Sequence, residues 1–313
     1  MADDKMEFSV SYSKLQELED DFEDVEVELL RQQAKLSAKL YEKRAATIVD
    51  IPNFWPLVLE QSPPDIDEYI QPTDSAVLLN HLVGLDVDRF ELPSGGDPRS
   101  VRITMTFSEN EYFSDKSLSK QFWWRYAKDG WTGLVSEPVR INWKSKDKDL
   151  TQGLLDLAVQ LHAAEKAAGQ KLADEAEPKA SLLALIESTG LGGVSFFAWF
   201  GFAGRAVSAE ESAEAFKVEQ EKRQKRRAGE DVPEDDDDDE DDDLDEYDTE
   251  IFPTGDDLAV SLAEDVWPNA IKYFITAMEH DALSDIDFED DDDDEDEEME
   301  EADGEHTSKK RKA

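Results

Sequence analysis

From Met1 to Ile51 the chain contains neither proline nor glycine, and apolar residues return every seven positions: Phe8, Leu15, Phe22, Leu29 and Leu36. A second series, Tyr12, Leu18, Val25 and Leu40, lies between them. A seven-residue apolar repeat over about five heptads marks a helix that buries a stripe against another helix. The spacing predicts a helix that starts near Ser9 to Ser13 and stops before Pro52, because the residue before a proline disfavours the helical region. At 1.5 Å per residue it would be roughly 55–60 Å long, more than a small domain's core can cover. The stripe of Phe8, Leu15, Leu18, Phe22, Val25, Leu29, Leu36 and Leu40 therefore calls for a partner helix, most simply its own copy.

The charges of this segment suggest how two copies would pair. Its first half is acidic (Glu17, Glu19, Asp20, Asp21, Glu23, Asp24, Glu26, Glu28) and its second half basic (Arg31, Lys35, Lys39, Lys43, Arg44). An antiparallel homodimer sets acid beside base at both ends. The same order also complements the helix dipole, which would explain the asymmetry without a partner.

The rest of the chain is dominated by acid. Twelve of the thirteen residues from Glu234 to Glu246 are acidic, and fifteen of the nineteen from Asp285 to Asp303. With these 27 carboxylates set aside, the 313-residue chain still carries −18 of its formal −45. Runs this polar and this uniformly charged are expected to be disordered. About 250 residues remain for a folded body, with 7 Trp, 7 Tyr and 15 Phe to fill its core. So negative a chain repels nucleic acid and anionic membrane and attracts strongly basic proteins, of which histones are the leading candidates. There is no cysteine, which excludes disulfides, thiolate metal sites and cysteine nucleophiles. No apolar run approaches the ~20 residues of a membrane span, and residues 1–10 lack the features of a secretory signal. These points lead to the expectation of a soluble cytosolic or nuclear protein.

After a rigid elbow at Ile51-Pro52-Asn53-Phe54-Trp55-Pro56, a short helix is predicted over Asp74 to Val83, with Asp74 as N-cap and Gly84 as its stop. The period then changes to two. Val101, Ile103, Met105 and Phe107 alternate with polar residues, Leu118, Phe122, Trp124 and Tyr126 repeat the spacing with Lys120 as the interruption, and Val135, Val139, Ile141 and Trp143 repeat it again. With Leu85 to Leu92 this predicts about four strands in an antiparallel meander with one buried face. Helices are expected to return at Leu150 to Leu161 and at Leu182 to Gly190. A further helix opens at the capping box Ser208/Glu211 and runs to about Arg227. The last covers Asp256 to Met278, bent or broken at Trp267-Pro268.

Five segments in this order resemble the nucleosome assembly protein family, most of all its SET branch. They are Ile51 to Trp55 after a long helix, Phe107-Ser108-Glu109-Asn110-Glu111-Tyr112-Phe113 through Leu118 to Phe122, Ile141-Asn142-Trp143-Lys144, Ser195-Phe196-Phe197-Ala198-Trp199-Phe200, and Glu264-Asp265-Val266-Trp267-Pro268 through Phe274. The resemblance implies an α+β fold: a dimerisation helix (1–51), an earmuff domain (52–280) carrying an acidic insertion (205–250), and an acidic tail with a basic tip (281–313). It implies histone chaperoning, with H3–H4 or H2A–H2B bound on an acidic underside, shielded from DNA and delivered to or removed from nucleosomes. It also admits two further roles, presentation of histones to an acetyltransferase and inhibition of a phosphatase. The 145–191 and 205–250 stretches depart from the family pattern.

Each candidate site has a plainer reading beside it. Asp256, Asp257, Glu264 and Asp265 would face histones, or be a solvated helix face. Glu109, Glu111 and Asp115 would do the same, or be an ordinary loop. The tail carboxylates Asp290, Asp291, Asp292, Asp293, Asp294 and Glu295 would mask histone Lys and Arg, or merely solubilise. Phe196, Phe197, Trp199 and Phe200 read as core. The clusters Lys222, Arg223, Lys225, Arg226, Arg227 and Lys309, Lys310, Arg311, Lys312 are of the nuclear-import type, consistent with a nuclear protein that also visits the cytoplasm. The first could instead complement a helix C-terminus, and the second could fold back on the acidic run. His81, His162, His280 and His306 fall in no metal-ligand spacing and no phosphate-binding glycine loop follows a strand, so neither an enzyme nor a cofactor is expected. The remaining alternatives are an acidic carrier for ribosomal or other basic cargo, and a regulatory partner that activates an acetyltransferase.

Overall fold

The computed structural model describes residues 12–230 and 247–280. Phe8, both acidic runs (and with them Asp290 to Glu295) and the tip Lys309 to Lys312 lie outside the described residues.

Helix α1 spans Tyr12–Ile48 and has two distinct faces. Leu15, Leu18, Phe22, Val25, Leu29, Leu36 and Leu40 are 50–77% exposed, so the described residues do not cover the heptad stripe. The opposite face is the shielded one. Asp20 and Arg44 are buried, and Glu23, Val27, Leu30, Ala34, Ser37, Tyr41 and Ile48 half-buried, again at steps of three and four. This inward series was not legible as a stripe, because half of it is polar. Near its C-terminal end the helix is docked by Arg44, which donates to the Trp267 carbonyl and lies beside the contacting Tyr41 and Trp267 rings, 4.8 and 4.5 Å from their centroids.

At the elbow, Asn53 takes a left-handed conformation (φ 55°), and helix α2 (Phe54–Glu60) turns its apolar side into the core. A short α3 (Pro64–Asp67) leads to α4 (Pro72–His81). Asp74 is not the N-cap expected from sequence. Gln71 is, and Asp74 occupies the third position, closing a reciprocal capping box with the Gln71 backbone. Gly84 does not stop the helix either; it lies in the first strand, beside a register shift.

Four strands, β1 (Leu82–Asp88), β2 (Val101–Phe107), β3 (Ser117–Tyr126) and β4 (Thr132–Ser136), pair antiparallel in the order β1-β2-β3-β4. The meander is as expected, but two boundaries move. The first strand ends at Asp88, because 89–96 turns back on itself through hydrogen bonds from Leu92, Gly95 and Gly96. The fourth strand ends at Ser136, and beyond it only Trp143 forms an isolated bridge, to Phe113. The inner face of the sheet (Leu85, Val87, Val101, Ile103, Met105, Phe107, Leu118, Phe122, Leu134) packs on Phe196, Phe197, Trp199, Phe200 and Phe202, all 0–2% exposed.

Helices α5 (Leu154–Ala168) and α6 (Lys179–Thr189) form a hairpin beside this aromatic segment. Helix α7 (Ala209–Arg227) begins at Ser208, whose hydroxyl accepts from the Glu211 amide. It lies against β3, with Phe216 4.9 Å from the Tyr126 ring and Ser212 accepting from the Tyr126 amide. Helix α8 (Gly255–Ser261) continues into a wider π turn at Leu262–Val266, then three turn residues, then α9 (270–280). The break expected at Trp267-Pro268 is therefore spread over 262–269. Proline supplies no amide to the ladder, and the Trp267 amide reaches back to the Leu262 carbonyl, five residues away. Gly255 admits no larger residue, since a Cβ there would lie 2.5 Å from the Phe202 ring.

Candidate functional site

The two acidic patches picked from sequence are largely committed to contacts within the chain. In the β2–β3 connection, Asp115 accepts from both the amide and the side-chain nitrogen of Asn142, each at 2.7 Å. Glu111 pairs with Lys148, whose hydrogen bond holds its carboxyl below the usual range. Glu109 is exposed and forms no ion pair among the described residues. On the closing element, Glu264 pairs with Arg89 at 3.3 Å and keeps a side chain 48% exposed. Asp265 accepts from Asn269 at 2.8 Å and from the Tyr273 hydroxyl at 2.9 Å. Burial, then that carboxylate, pushes the Tyr273 phenol up to about 12. Asp256 is half-buried in the first turn of α8, and burial raises its pKa, with Asp257 adding to the effect. Asp257 is exposed. Glu109, Glu111 and Asp257 are exposed, as is the outer side of Glu264, whereas Asp115, Asp256 and Asp265 are half-buried.

A denser charge arrangement lies where sequence reasoning did not place one. The guanidinium of Arg99, just ahead of β2, is held in a fork by Asp97, touches the Tyr126 hydroxyl at 2.6 Å, and lies 4.1 Å from the centre of the Trp124 ring. Its remaining nitrogen reaches Glu23 of α1 at 2.7 Å. From the other side come three arginines of α7. Arg223 pairs with Asp20, Glu23 and Asp24, Arg226 with Asp20 at 2.8 Å, and Arg227 with Asp21 and Asp24, both at 2.8 Å. Glu219 braces Arg223 and Arg226 within the helix. Burial alone would raise the pKa of Glu23, but the hydrogen bonds from Arg99 and Arg223 outweigh it and hold the carboxyl below its ordinary 4.5.

Two sequence expectations change as a result. Four acidic residues of α1 that were read as complements to a partner helix are engaged by the same chain. The basic cluster Lys222 to Arg227 does more than complement a helix terminus, because three of its members are salt-bridged to a helix about 200 residues away. A sequence of one chain carries no signal for such a pairing.

Beneath the sheet lies a buried polar knot. Lys120, the residue that broke the alternation, points into the core opposite Ile103 and is fully buried. Its ammonium donates to the carbonyls of Glu137, Phe200 and Phe202 at 3.1, 3.2 and 2.8 Å. Burial pulls its pKa down to about 7, against the opposing charges of Glu250 and Glu137. Glu250 accepts from the amides of Ala203, Gly204 and Phe252, which joins the two ends of the 205–250 excursion at one carboxylate. Burial raises its pKa. Asp74 ties α4 to the aromatic segment through the Ser195 hydroxyl at 2.6 Å and the Phe196 amide at 2.7 Å.

A family model described as Nucleosome assembly protein (NAP) matches residues 14–277. Over 149 residues the chain is 38% identical to a Schizosaccharomyces pombe protein named for nucleosome assembly, a match covering 44% of this chain and 59% of that one. It is 27% identical over 273 residues to NAP1-related protein 2 of Oryza sativa subsp. indica, covering 85% and 76%. Among solved structures, the fold resembles that of Ccp1 (29% identity, TM-score 0.50, covering 85% of this chain and 95% of that one). It also resembles Vps75 (21% identity, TM-score 0.52, covering 85% and 97%).

Proposed function

This chain belongs to the nucleosome assembly protein family, and on that premise we propose that it is a histone chaperone. It binds core histones (H3–H4, H2A–H2B or both) through carboxylates, shields them from DNA, and promotes nucleosome assembly and disassembly. The observation that carries this reading, beside the family, is the charge. A net −45 confers affinity for basic proteins and repulsion from DNA on the same molecule. A histone Lys or Arg neutralised by a carboxylate is withheld from DNA phosphate, and the exchange is fast and salt-sensitive because the charges meet in water.

On this reading Glu109, Asp257 and Glu264 supply contacts from the body and the acidic runs supply more. The chaperone acts as a homodimer through the exposed stripe of α1, without enzymatic activity or a cofactor. It works in the nucleus, shuttles to the cytoplasm, and is open to partnership with an acetyltransferase. The test is to mix the purified full-length chain with each histone pair, with DNA, and with both, across a salt series, and to measure binding and histone deposition. Histone binding that weakens with salt, with no binding to DNA, is the expected result. Indifference to both histone pairs at near-physiological ionic strength would overturn the proposal.

A further inference from the structure

The two halves of α7 are held by different forces. Its N-terminal half is anchored by packing: Ser212 and Ala215 are buried, and Phe216 meets Tyr126. In its C-terminal half, Arg223, Arg226 and Arg227 form ion pairs with Asp20, Asp21, Glu23 and Asp24 of α1. Arginines at positions i, i+3 and i+4 of one helix thus face carboxylates at positions i, i+1, i+3 and i+4 of another. Arg223 is 8% exposed and Asp20 5%, so the centre of the junction is shielded, whereas Arg227, Asp21 and Asp24 lie at a wet rim. Rim pairs exchange readily with other ions. Planar guanidinium forks are what such carboxylates hold best, so another arginine-rich segment is the natural competitor.

We propose that this junction is an autoinhibitory latch: α1 holds the basic cluster 222–227 closed against itself, and an arginine-rich protein segment that takes Asp20, Asp21, Glu23 and Asp24 releases it. Asp20, Glu23 and Asp24 lie away from the apolar stripe of α1, while Asp21 borders it between Leu18 and Val25. Only the natural identity of the competitor, a histone segment, rests on the chaperone reading.

Hydrogen exchange of the full-length chain, resolved by mass spectrometry, tests the latch with an octa-arginine peptide as probe. Adding the peptide should speed amide exchange in 221–228 about tenfold and leave β2, β3 and α5 unchanged. Asp20→Asn/Asp24→Asn should show the fast exchange without peptide. Arg226→Gln/Arg227→Gln, which opens the same contact from the other helix, should do likewise and serves if the first variant fails to fold. Exchange in 221–228 that is unmoved by the peptide and by a folded variant overturns the latch. Peptide-driven opening in a chain that ignores histones would instead overturn the chaperone reading and leave the latch standing.

Discussion

If α1 pairs antiparallel with its own copy, residues near its midpoint meet their own counterparts across the twofold axis. The helix runs from Tyr12 to Ile48, which places Leu29 next to that axis. Leu29 is 59% exposed in the single chain. Burying a whole leucine is worth about 2 kcal/mol, so covering the exposed part gives roughly 1 kcal/mol per copy and about 2 kcal/mol per dimer. Leu29→Asp removes that gain and sets two carboxylates face to face. At about 6 Å and an effective dielectric near 20 their repulsion is roughly 3 kcal/mol. The combined loss, about 5 kcal/mol, weakens dimerisation by three to four orders of magnitude, since each factor of ten takes about 1.4 kcal/mol. Sedimentation equilibrium should find the unmodified chain dimeric at low micromolar concentration and the variant monomeric up to about a hundredfold more. The variant should keep its helical circular dichroism, because Leu29 is no part of the core formed by the described residues. A variant as dimeric as the parent, or a parent that is monomeric at micromolar concentration, would refute the pairing of α1 with itself.

Other expectations follow from the buried groups and the charge. Lys120→Met strips three carbonyls of their donor and Glu250 of its nearby cation, so we expect a loss of about 3–5 kcal/mol in urea denaturation followed by tryptophan fluorescence. A loss under about 1 kcal/mol would mean that the ammonium is not an integral part of the core. Glu23 faces Arg99 and Arg223, with Asp20 and Asp24 beside it on α1 and Asp97 and Tyr126 behind Arg99. Because its folded pKa lies below 4.5, its contribution to the α1–α7 junction is fully present above pH 4.5 and is lost as pH falls from there through the folded value. Amide exchange in 221–228 should therefore accelerate on acidification below pH 4.5, after correction for intrinsic rates, and a flat corrected profile would contradict this. Deleting Asp285–Asp303 should weaken histone binding at low salt and flatten its salt dependence without abolishing it; an unchanged affinity and slope would remove the tail from the mechanism.

The elements that could be read from sequence are those whose signal is periodic and local. The heptads of α1, the alternation of Val101 to Phe107, and the box at Ser208 and Glu211 each depend on residues a few positions apart. What failed depended on distant ones. Val139 to Trp143 alternates like a strand, yet residues 137–142 lie in no strand and only Trp143 forms a bridge. Lys120 looked like a flaw in β3 because the carbonyls that accept its protons come from 17 to 82 residues away. Among the site candidates, Glu264 and Asp115 are recognisable as acidic from sequence. Their engagement by Arg89 and Asn142 is a property of the folded chain.

The single carboxylate of Glu250 has a consequence for how this body can change. With Ala203, Gly204 and Phe252 all hung from it, the segments on either side of 205–250 are fixed to one another at a single point beneath the sheet. The aromatic segment under the sheet, whose Phe200 and Phe202 carbonyls are held by Lys120, is thereby tied at its far end to the start of the closing element, so neither can shift without the other.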